Sequence, residues 1–337
     1  MLRALPVAEW LVASMPIIDV RSPGEFARGH IPGAHNLPLF INEERAIVGT
    51  IYKQQGRDPA VLEGLRIVGP KLASIVEQAK ALAPDGRIRV HCWRGGERSA
   101  SVAWLLDKAG FVEVITLKRG YKGFRGHVQA SFTAPLLLKV IGGYTGTGKT
   151  ETLKELAALG EQTVDLEALA NHKGSAFGAL GEEPQPTTEQ FENFLWHQLQ
   201  RIDPTRPVWV EDESALIGRV CIPPSFFAQM RSAVLYFAEM PMADRADRLV
   251  KDYGRFPTDQ LAEAVQRIGK RVGPQHCKAA LAALEAGDLK QVALITLRYY
   301  DKSYRYGSSQ RDPHRILSLP VTASDLTGLA ERLIAST

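Results

Sequence analysis

Val90-His91-Cys92-Trp93-Arg94-Gly95-Gly96-Glu97-Arg98-Ser99-Ala100-Ser101 decides the reading of the first half of this chain. Ile88 and Val90 belong to an apolar run that reads as a buried strand, and Val102, Leu105 and Leu106 open a helical pattern. Between them lies a loop with one thiol, two glycines and two arginines. Loop N–H groups and the N-terminus of the following helix would point at the thiol of Cys92, stabilising a thiolate or a bound oxyanion. Arg94 and Arg98 add positive charge, and Gly95, Gly96 and Ser99 complete a candidate anion-binding loop around Cys92, the candidate nucleophile. A cysteine that served only to fill a core would need none of these neighbours.

Upstream, Ile17 to Val20 reads as a short strand that runs into a turn at Arg21-Ser22-Pro23, and Gly29-His30-Ile31-Pro32-Gly33-Ala34-His35-Asn36-Leu37-Pro38 reads as a compact loop. A helix is expected from about Pro70 to Leu82, a strand at Arg87, a helix to about Ala109 and a strand over Val112 to Leu117. Strand and helix alternate, which predicts a parallel sheet with helices on its faces and the thiol loop at a strand's carboxyl end. Asp19-Val20-Arg21-Ser22-Pro23 with Glu25-Phe26, then Gly29 to Ala34 with Asn36 and Pro38, followed by a loop cysteine, resembles the rhodanese domain over roughly Leu11 to Arg125. The resemblance implies that Cys92 carries a chalcogen. Cys92 and Arg98 lie six positions apart, one more than in the shorter loop usual in rhodaneses. That spelling is also similar to cysteine-dependent phosphatases and arsenate reductases, so a phosphorylated chalcogen donor fits the loop.

At 337 residues the chain suits two domains, and 45% hydrophobic with 23% charged residues supplies two ordinary cores. Three widely spaced cysteines, Cys92, Cys221 and Cys277, argue against a disulfide framework and for a reducing compartment. No stretch reads as a signal peptide or approaches the roughly 20 apolar residues of a membrane span, so a cytoplasmic protein without a membrane partner is expected. The net charge of +4 permits a polyanionic partner without requiring one.

Lys118-Arg119-Gly120-Tyr121-Lys122-Gly123-Phe124-Arg125 interleaves bases with aromatics, either a solvated turn or a contact surface for single-stranded nucleic acid through Lys118, Arg119, Tyr121 and Lys122. A domain boundary is expected between Gln129 and Pro135, giving domains over 1–130 and 131–337. The second opens with Leu136 to Gly142 and Gly143-Tyr144-Thr145-Gly146-Thr147-Gly148-Lys149-Thr150, a Walker A loop between an apolar strand and a helical pattern. Backbone N–H groups there wrap a phosphate chain, Lys149 supplies charge and the Thr150 hydroxyl is placed for magnesium; which phosphorylated ligand is held, nucleotide or other, stays open.

Asp165 and Glu211-Asp212, at the ends of two expected strands (Thr163 to Glu167 and Pro207 to Glu213), are candidates for ordering magnesium or for acid–base work. Asn171 to Gly178 is a polar, glycine-rich loop placed to close over a ligand. Arg245 and Arg248 are candidate lid arginines. After Pro257 the chain reads as wholly helical, ending in a stretch where Arg298, Tyr299, Tyr300, Lys302, Tyr304 and Arg305 form a candidate exposed RNA face. No structural metal is expected, and Cys221, beside Ile222 and Pro223, reads as packed.

The whole chain resembles the tRNA 2-selenouridine synthase family, on His91-Cys92-Trp93-Arg94-Gly95-Gly96 with Arg98-Ser99, the Gly143 to Thr150 loop, Asp165-Leu166-Glu167 with Asn171 to Gly178, and Tyr299-Tyr300-Asp301 with Tyr304-Arg305-Tyr306. The expected architecture is α/β: an N-terminal rhodanese-like parallel-sheet domain and a P-loop NTPase-like α/β domain with a helical C-terminal region. The resemblance implies a transferase that replaces sulfur by selenium at C2 of a wobble 2-thiouridine in tRNA, using selenophosphate, by way of S-geranylation from geranyl diphosphate. Its implied partners are tRNA and a selenophosphate-producing enzyme. Two other classes stay open on the residues alone: a cysteine-dependent phosphatase or arsenate reductase with a nucleotide-regulated domain, and a non-catalytic nucleotide-dependent RNA-binding protein.

Overall fold

A computed structural model describes residues 1–323 and 326–336. The chain divides into two compact units, Met1–Ser131 with Glu192–Phe194, and Phe132–Phe191 with Leu195–Thr337.

The first unit runs β1 (Leu2–Leu5), α1 (Val7–Val12), β2 (Ile17–Asp19), α2 (Pro23–Arg28), β3 (Ala34–Asn36), α3 (Asn42–Gln55), α4 (Arg57–Val68), α5 (Leu72–Leu82), β4 (Arg87–His91), α6 (Glu97–Lys108), β5 (Glu113–Leu117) and α7 (Gly120–Ser131). Its five strands pair in the order β1-β5-β4-β2-β3, all parallel. Ile18, Ile88, Val90, Val102, Leu106 and Val114 close the core between sheet and helices. Each such burial contributes roughly 1.5–3 kcal/mol. α7 turns Tyr121, Phe124, Arg125 and Val128 inward at helical spacing.

The second unit runs β6 (Leu138–Gly143), α8 (Lys149–Ala158), β7 (Gln162–Val164), α9 (Leu166–Ala170), α10 (Thr188–Leu199), β8 (Val208–Glu211), the antiparallel pair β9 (Leu216–Ile217) and β10 (Val220–Cys221), α11 (Pro224–Ser232), β11 (Val234–Glu239), α12 (Met242–Tyr253), α13 (Thr258–Val272), α14 (Pro274–Glu285), α15 (Leu289–Ser309), β12 (Ile316–Pro320) and α16 (Leu326–Ala335). The main sheet is again fully parallel, in the order β12-β11-β6-β8-β7. The architecture is the expected α/β pair of parallel sheets with a helical region near the C-terminus.

Three readings of the chain change. The segment after Pro257 is not wholly helical: β12 returns to the sheet and pairs with β11, Leu235 opposite Ile316. The strand expected over Thr163 to Glu167 stops at Val164, because Asp165 accepts a hydrogen bond from the Ala168 N–H and caps α9. Cys221 is exposed rather than packed. Among the described residues no helix is long and apolar enough to cross a membrane.

Candidate functional site

In the first unit one hydrogen-bonded knot stands behind the thiol loop. The fully buried Arg21 donates from Nε to Asp19 at 2.9 and 3.0 Å and from Nη2 at 2.6 Å, and a further Nη2 bond reaches the Gly29 carbonyl at 2.7 Å. Asn36 donates to the Asp19 and Arg21 carbonyls at 3.0 and 2.9 Å. Ser22 caps α2, Pro23 occupies its first turn and Glu25 closes the capping box. The Glu25 carboxylate also accepts from Arg98 Nη1 at 2.7 Å, so the same acid starts α2 and fixes the loop's arginine. Burial works against that carboxylate, but Arg98 holds its pKa below the ordinary value.

Cys92 follows the last residue of β4 and is only 3% exposed. Its Sγ shares a hydrogen bond with Ser99 Oγ at 3.2 Å, and Ser99 donates to the Gly96 carbonyl at 3.1 Å. Gly96 caps α6, which puts that helix's N-terminal N–H groups at the thiol loop. The start of α7 clamps the loop from behind, Tyr121 N–H donating to the Cys92 carbonyl at 2.8 Å and Lys122 N–H to that of Trp93 at 2.9 Å. Gly95 sits at φ 65°, and a side chain there would collide with the Leu117 carbonyl. Cys92, Gly95, Gly96 and Ser99 are thus brought together, Arg94 stands exposed at the mouth, and Arg98 is engaged by Glu25. His91, beneath the thiol, is fully buried beside Asp19, at 3.7 Å, and burial lowers its pKa.

Tyr121 is not a stacking platform for a base. It is fully buried with its ring 3.8 Å from the Arg21 guanidinium carbon, because the inward face of α7 claims it. Lys118, Arg119 and Lys122 are exposed.

In the second unit β6 feeds the loop Gly143 to Thr150 and α8 starts at Lys149. Lys149 Nζ donates to the Gly143 carbonyl at 3.3 Å and reaches the Tyr304 hydroxyl at 3.5 Å. Burial opposes its charge, but Tyr304, Glu213, Glu167 and Glu211 outweigh burial and raise its pKa. Thr150 Oγ1 donates to Glu167 at 3.3 Å. Carboxylate oxygens of Glu167, Glu211 and Glu213 lie within 4.8 Å of one another. Burial pushes each of them up to about 8, helped at Glu167 by Glu213 and at Glu211 by Glu167. Both Glu211 oxygens are shielded from solvent without a hydrogen-bond partner of good geometry. An acid cluster with an orphaned carboxylate, beside the hydroxyl of a Walker A threonine, has the hard oxygen donors a divalent cation such as magnesium requires. The Asn171 to Gly178 loop closes on this cluster: Gly174, at φ 66°, approaches so near that a Cβ there would lie 2.9 Å from Glu167 and 3.0 Å from Glu213.

Of the acids named from sequence, Glu211 alone belongs to the cluster. Asp165 is the α9 cap, and Asp212 turns away to Arg311 at 2.5 Å and Arg231 at 3.7 Å. Glu167 and Glu213 take their places. Arg245 and Arg248 are not free lid arginines either. Arg245 is 2% exposed, bidentate to Asp301 at 2.8 and 2.7 Å, and donates to the Thr145 carbonyl at 3.3 Å. Arg248 donates to the Gly146 carbonyl at 3.2 Å and pairs with Glu151. Both brace the phosphate loop from outside. Tyr300 and Tyr304 leave the expected RNA face, since Tyr300 accepts from the Ala176 N–H at 3.0 Å and Tyr304 lies against Lys149. Arg298, Lys302 and Arg305 remain exposed, and Tyr299 is half-buried.

Beside the phosphate loop lies a narrow apolar pocket of about 50 Å³, with Thr145, Ser175 and Tyr300 in its wall together with leucines of α12 to α15. No sequence signal marked it, because its lining comes from four helices and two loops.

Comparison with known proteins agrees with this division. Residues 7–127 match the family model described as Rhodanese-like domain, and residues 137–319 match that described as tRNA 2-selenouridine synthase AAA domain. The tRNA 2-selenouridine synthase of Nitrosomonas europaea is 38% identical over 78% of this chain and 69% of its own length, and that of Sulfurovum sp. strain NBC37-1 is 36% identical over 90% and 91%. A solved structure, the N-terminal domain of a putative ATP/GTP binding protein from Clostridium difficile 630, is 40% identical over 37% of this chain and 98% of that one, with a TM-score of 0.36. With a family model over more than half its length and relatives matched nearly end to end, the chain belongs to the tRNA 2-selenouridine synthase family.

Proposed function

We propose that this chain is a tRNA-modifying transferase that replaces sulfur by selenium at C2 of a wobble 2-thiouridine, with geranyl diphosphate and selenophosphate as co-substrates. The observation that carries the reading is the pairing, in one chain, of a thiol loop at Cys92 with a phosphate loop that opens on an apolar pocket. A prenyl diphosphate needs a phosphate cradle and a hydrocarbon cleft side by side.

In the first reaction the tRNA sulfur attacks the allylic carbon of geranyl diphosphate. A C–S bond forms, the C–O bond breaks and diphosphate leaves. Lys149 and the N–H groups of the Gly143 to Thr150 loop meet the charge that grows on the leaving group, which is where fixed positive groups accelerate the step most. Magnesium would be held by Glu167, Glu211, Glu213 and the Thr150 hydroxyl, and when bound it supplies further neutralisation of diphosphate charge.

In the second reaction selenium replaces the geranylated sulfur. Attack by the Cys92 thiolate on the phosphorus of selenophosphate forms S–P, breaks P–Se and releases hydroselenide. Hydroselenide adds at C2, geranylthiol leaves, and water cleaves the S–P bond to return the thiol and phosphate. Oxidation states do not change, whereas a perselenide on Cys92 would need an oxidant. The longer Cys92 to Arg98 loop, with Arg94 at its mouth and the α6 N-terminus behind the thiol, suits a tetrahedral phosphorus centre.

The first step is tested by Lys149→Ala protein incubated with 2-thiouridine tRNA and geranyl diphosphate, with nucleosides analysed by mass spectrometry. Loss of one preorganised charge lowers S-geranylation by about 10²–10³-fold; geranylation at the native rate would refute the assignment of the phosphate loop.

A further inference from the structure

The second half of α15 has two faces of opposite character. Inward it turns Thr296, Leu297 and Asp301, all buried, with Tyr300 and Tyr304 engaged by the Asn171 to Gly178 loop and by Lys149. Outward it turns Arg298, Lys302, Arg305 and Tyr306, all exposed. At 3.6 residues per turn these four side chains fall within an arc of about 100°, along about 12 Å of helix. They form one stripe.

The charge on that stripe is of one sign. A solvated helix face ordinarily interleaves acids with bases, but the only acid between Leu289 and Ser309 is Asp301, which is turned inward and neutralised by Arg245. Among the described residues no carboxylate forms an ion pair with Arg298, Lys302 or Arg305. Tyr306 stands beside them 70% exposed, which leaves most of its ring surface in water. Bases that lack acidic partners, next to a bared aromatic ring, are what a single-stranded nucleic acid requires: cations for its phosphates and a flat face for a base. The stripe also adjoins the phosphate loop, because Arg305 Nε donates to the Tyr144 hydroxyl at 3.4 Å.

We infer that the outer face of α15 is an RNA-docking surface, with Arg298, Lys302 and Arg305 on backbone phosphates and Tyr306 stacked on an unpaired base. The inference rests on the tRNA-modifying reading above and names the surface of the second unit that would hold the tRNA strand beside the phosphate loop. Arg305, in contact with both the stripe and Tyr144, marks the end of the stripe at the loop.

The test is fluorescence anisotropy of labelled 2-thiouridine tRNA with the full chain, between about 50 and 200 mM salt. Arg298→Gln/Lys302→Gln removes two phosphate contacts and is expected to flatten the slope of log K against log salt by about 1.4. Tyr306→Ala is expected to weaken binding by roughly 5- to 150-fold at every salt concentration without changing the slope, and Tyr306→Phe to bind as the wild type does. All these positions are exposed, and circular dichroism checks that the variants stay folded. With the wild type binding tRNA, an unchanged slope in the double variant or an unchanged affinity in Tyr306→Ala overturns the contact assigned to those residues and leaves the tRNA reading standing. Binding to phosphatidylserine vesicles that the variants lose, while their tRNA binding is unchanged, gives the face to a lipid surface and overturns the inference. A wild-type protein that binds no tRNA overturns both.

Discussion

At the scale of single residues, Asp19 does most to hold the thiol loop in place, although it never touches Cys92. It is fully buried, and burial alone would raise its pKa, but His91 and Arg21 bring the pKa below its ordinary 3.8. A lowered carboxylate pKa contributes stability that is present above the unfolded value and lost as pH falls through the folded one. Urea denaturation followed by near-UV dichroism should therefore show the first unit weakening below about pH 4. Asp19→Asn, which leaves Arg21 buried without its counter-charge, should cost about 3–5 kcal/mol at neutral pH; a loss under 1 kcal/mol would mean that the knot is not what holds the loop. The residues of this knot were legible because each does a local job: Ser22, Pro23 and Glu25 start a helix within four positions. The acid cluster was not. Asp165, Glu167, Glu211, Asp212 and Glu213 are all strand-end acids by sequence, and what sorts them is remote. Asp212 is taken by Arg311, 99 positions on, and only the carboxylates left over face the phosphate loop.

At the scale of elements, glycine-rich turns between a strand and a helix identify both site loops without any tertiary information. Helical faces were harder to read than loops. Tyr121, Phe124, Arg125 and Val128 have the spacing of an inward face, yet the bases between them gave the segment the look of an RNA surface. The same holds for Tyr300 and Tyr304 on α15, one turn apart, the first turned to the Asn171 to Gly178 loop and the second to Lys149 of the phosphate loop. β12 escaped notice because its residues are half-exposed or exposed and so lack a strong apolar signature. The joint between α12 and α15 carries its own prediction. Asp301→Ala leaves Arg245 unpaired in a buried position and removes the brace on the Thr145 carbonyl, so it should destabilise the second unit by about 3–5 kcal/mol. Hydrogen exchange of the β6 and β11 amides should accelerate accordingly, while β2 and β4 of the first unit stay protected; unchanged exchange in β6 would show that the ion pair is not structural.

At the scale of the whole molecule, each unit supplies what the other lacks. The first has a thiol at a helix N-terminus and no phosphate loop of the Walker type; the second has a charged phosphate cradle, an acid cluster and an apolar pocket, with its two cysteines, Cys221 and Cys277, elsewhere. Two reactions in sequence, one for each unit, is the central claim. It is tested most directly by giving Cys92→Ser protein 2-thiouridine tRNA, geranyl diphosphate and selenophosphate together, and resolving the nucleosides by mass spectrometry. The account predicts that S-geranyl-2-thiouridine accumulates and 2-selenouridine does not form. Selenouridine formed at the wild-type rate by this variant would contradict it.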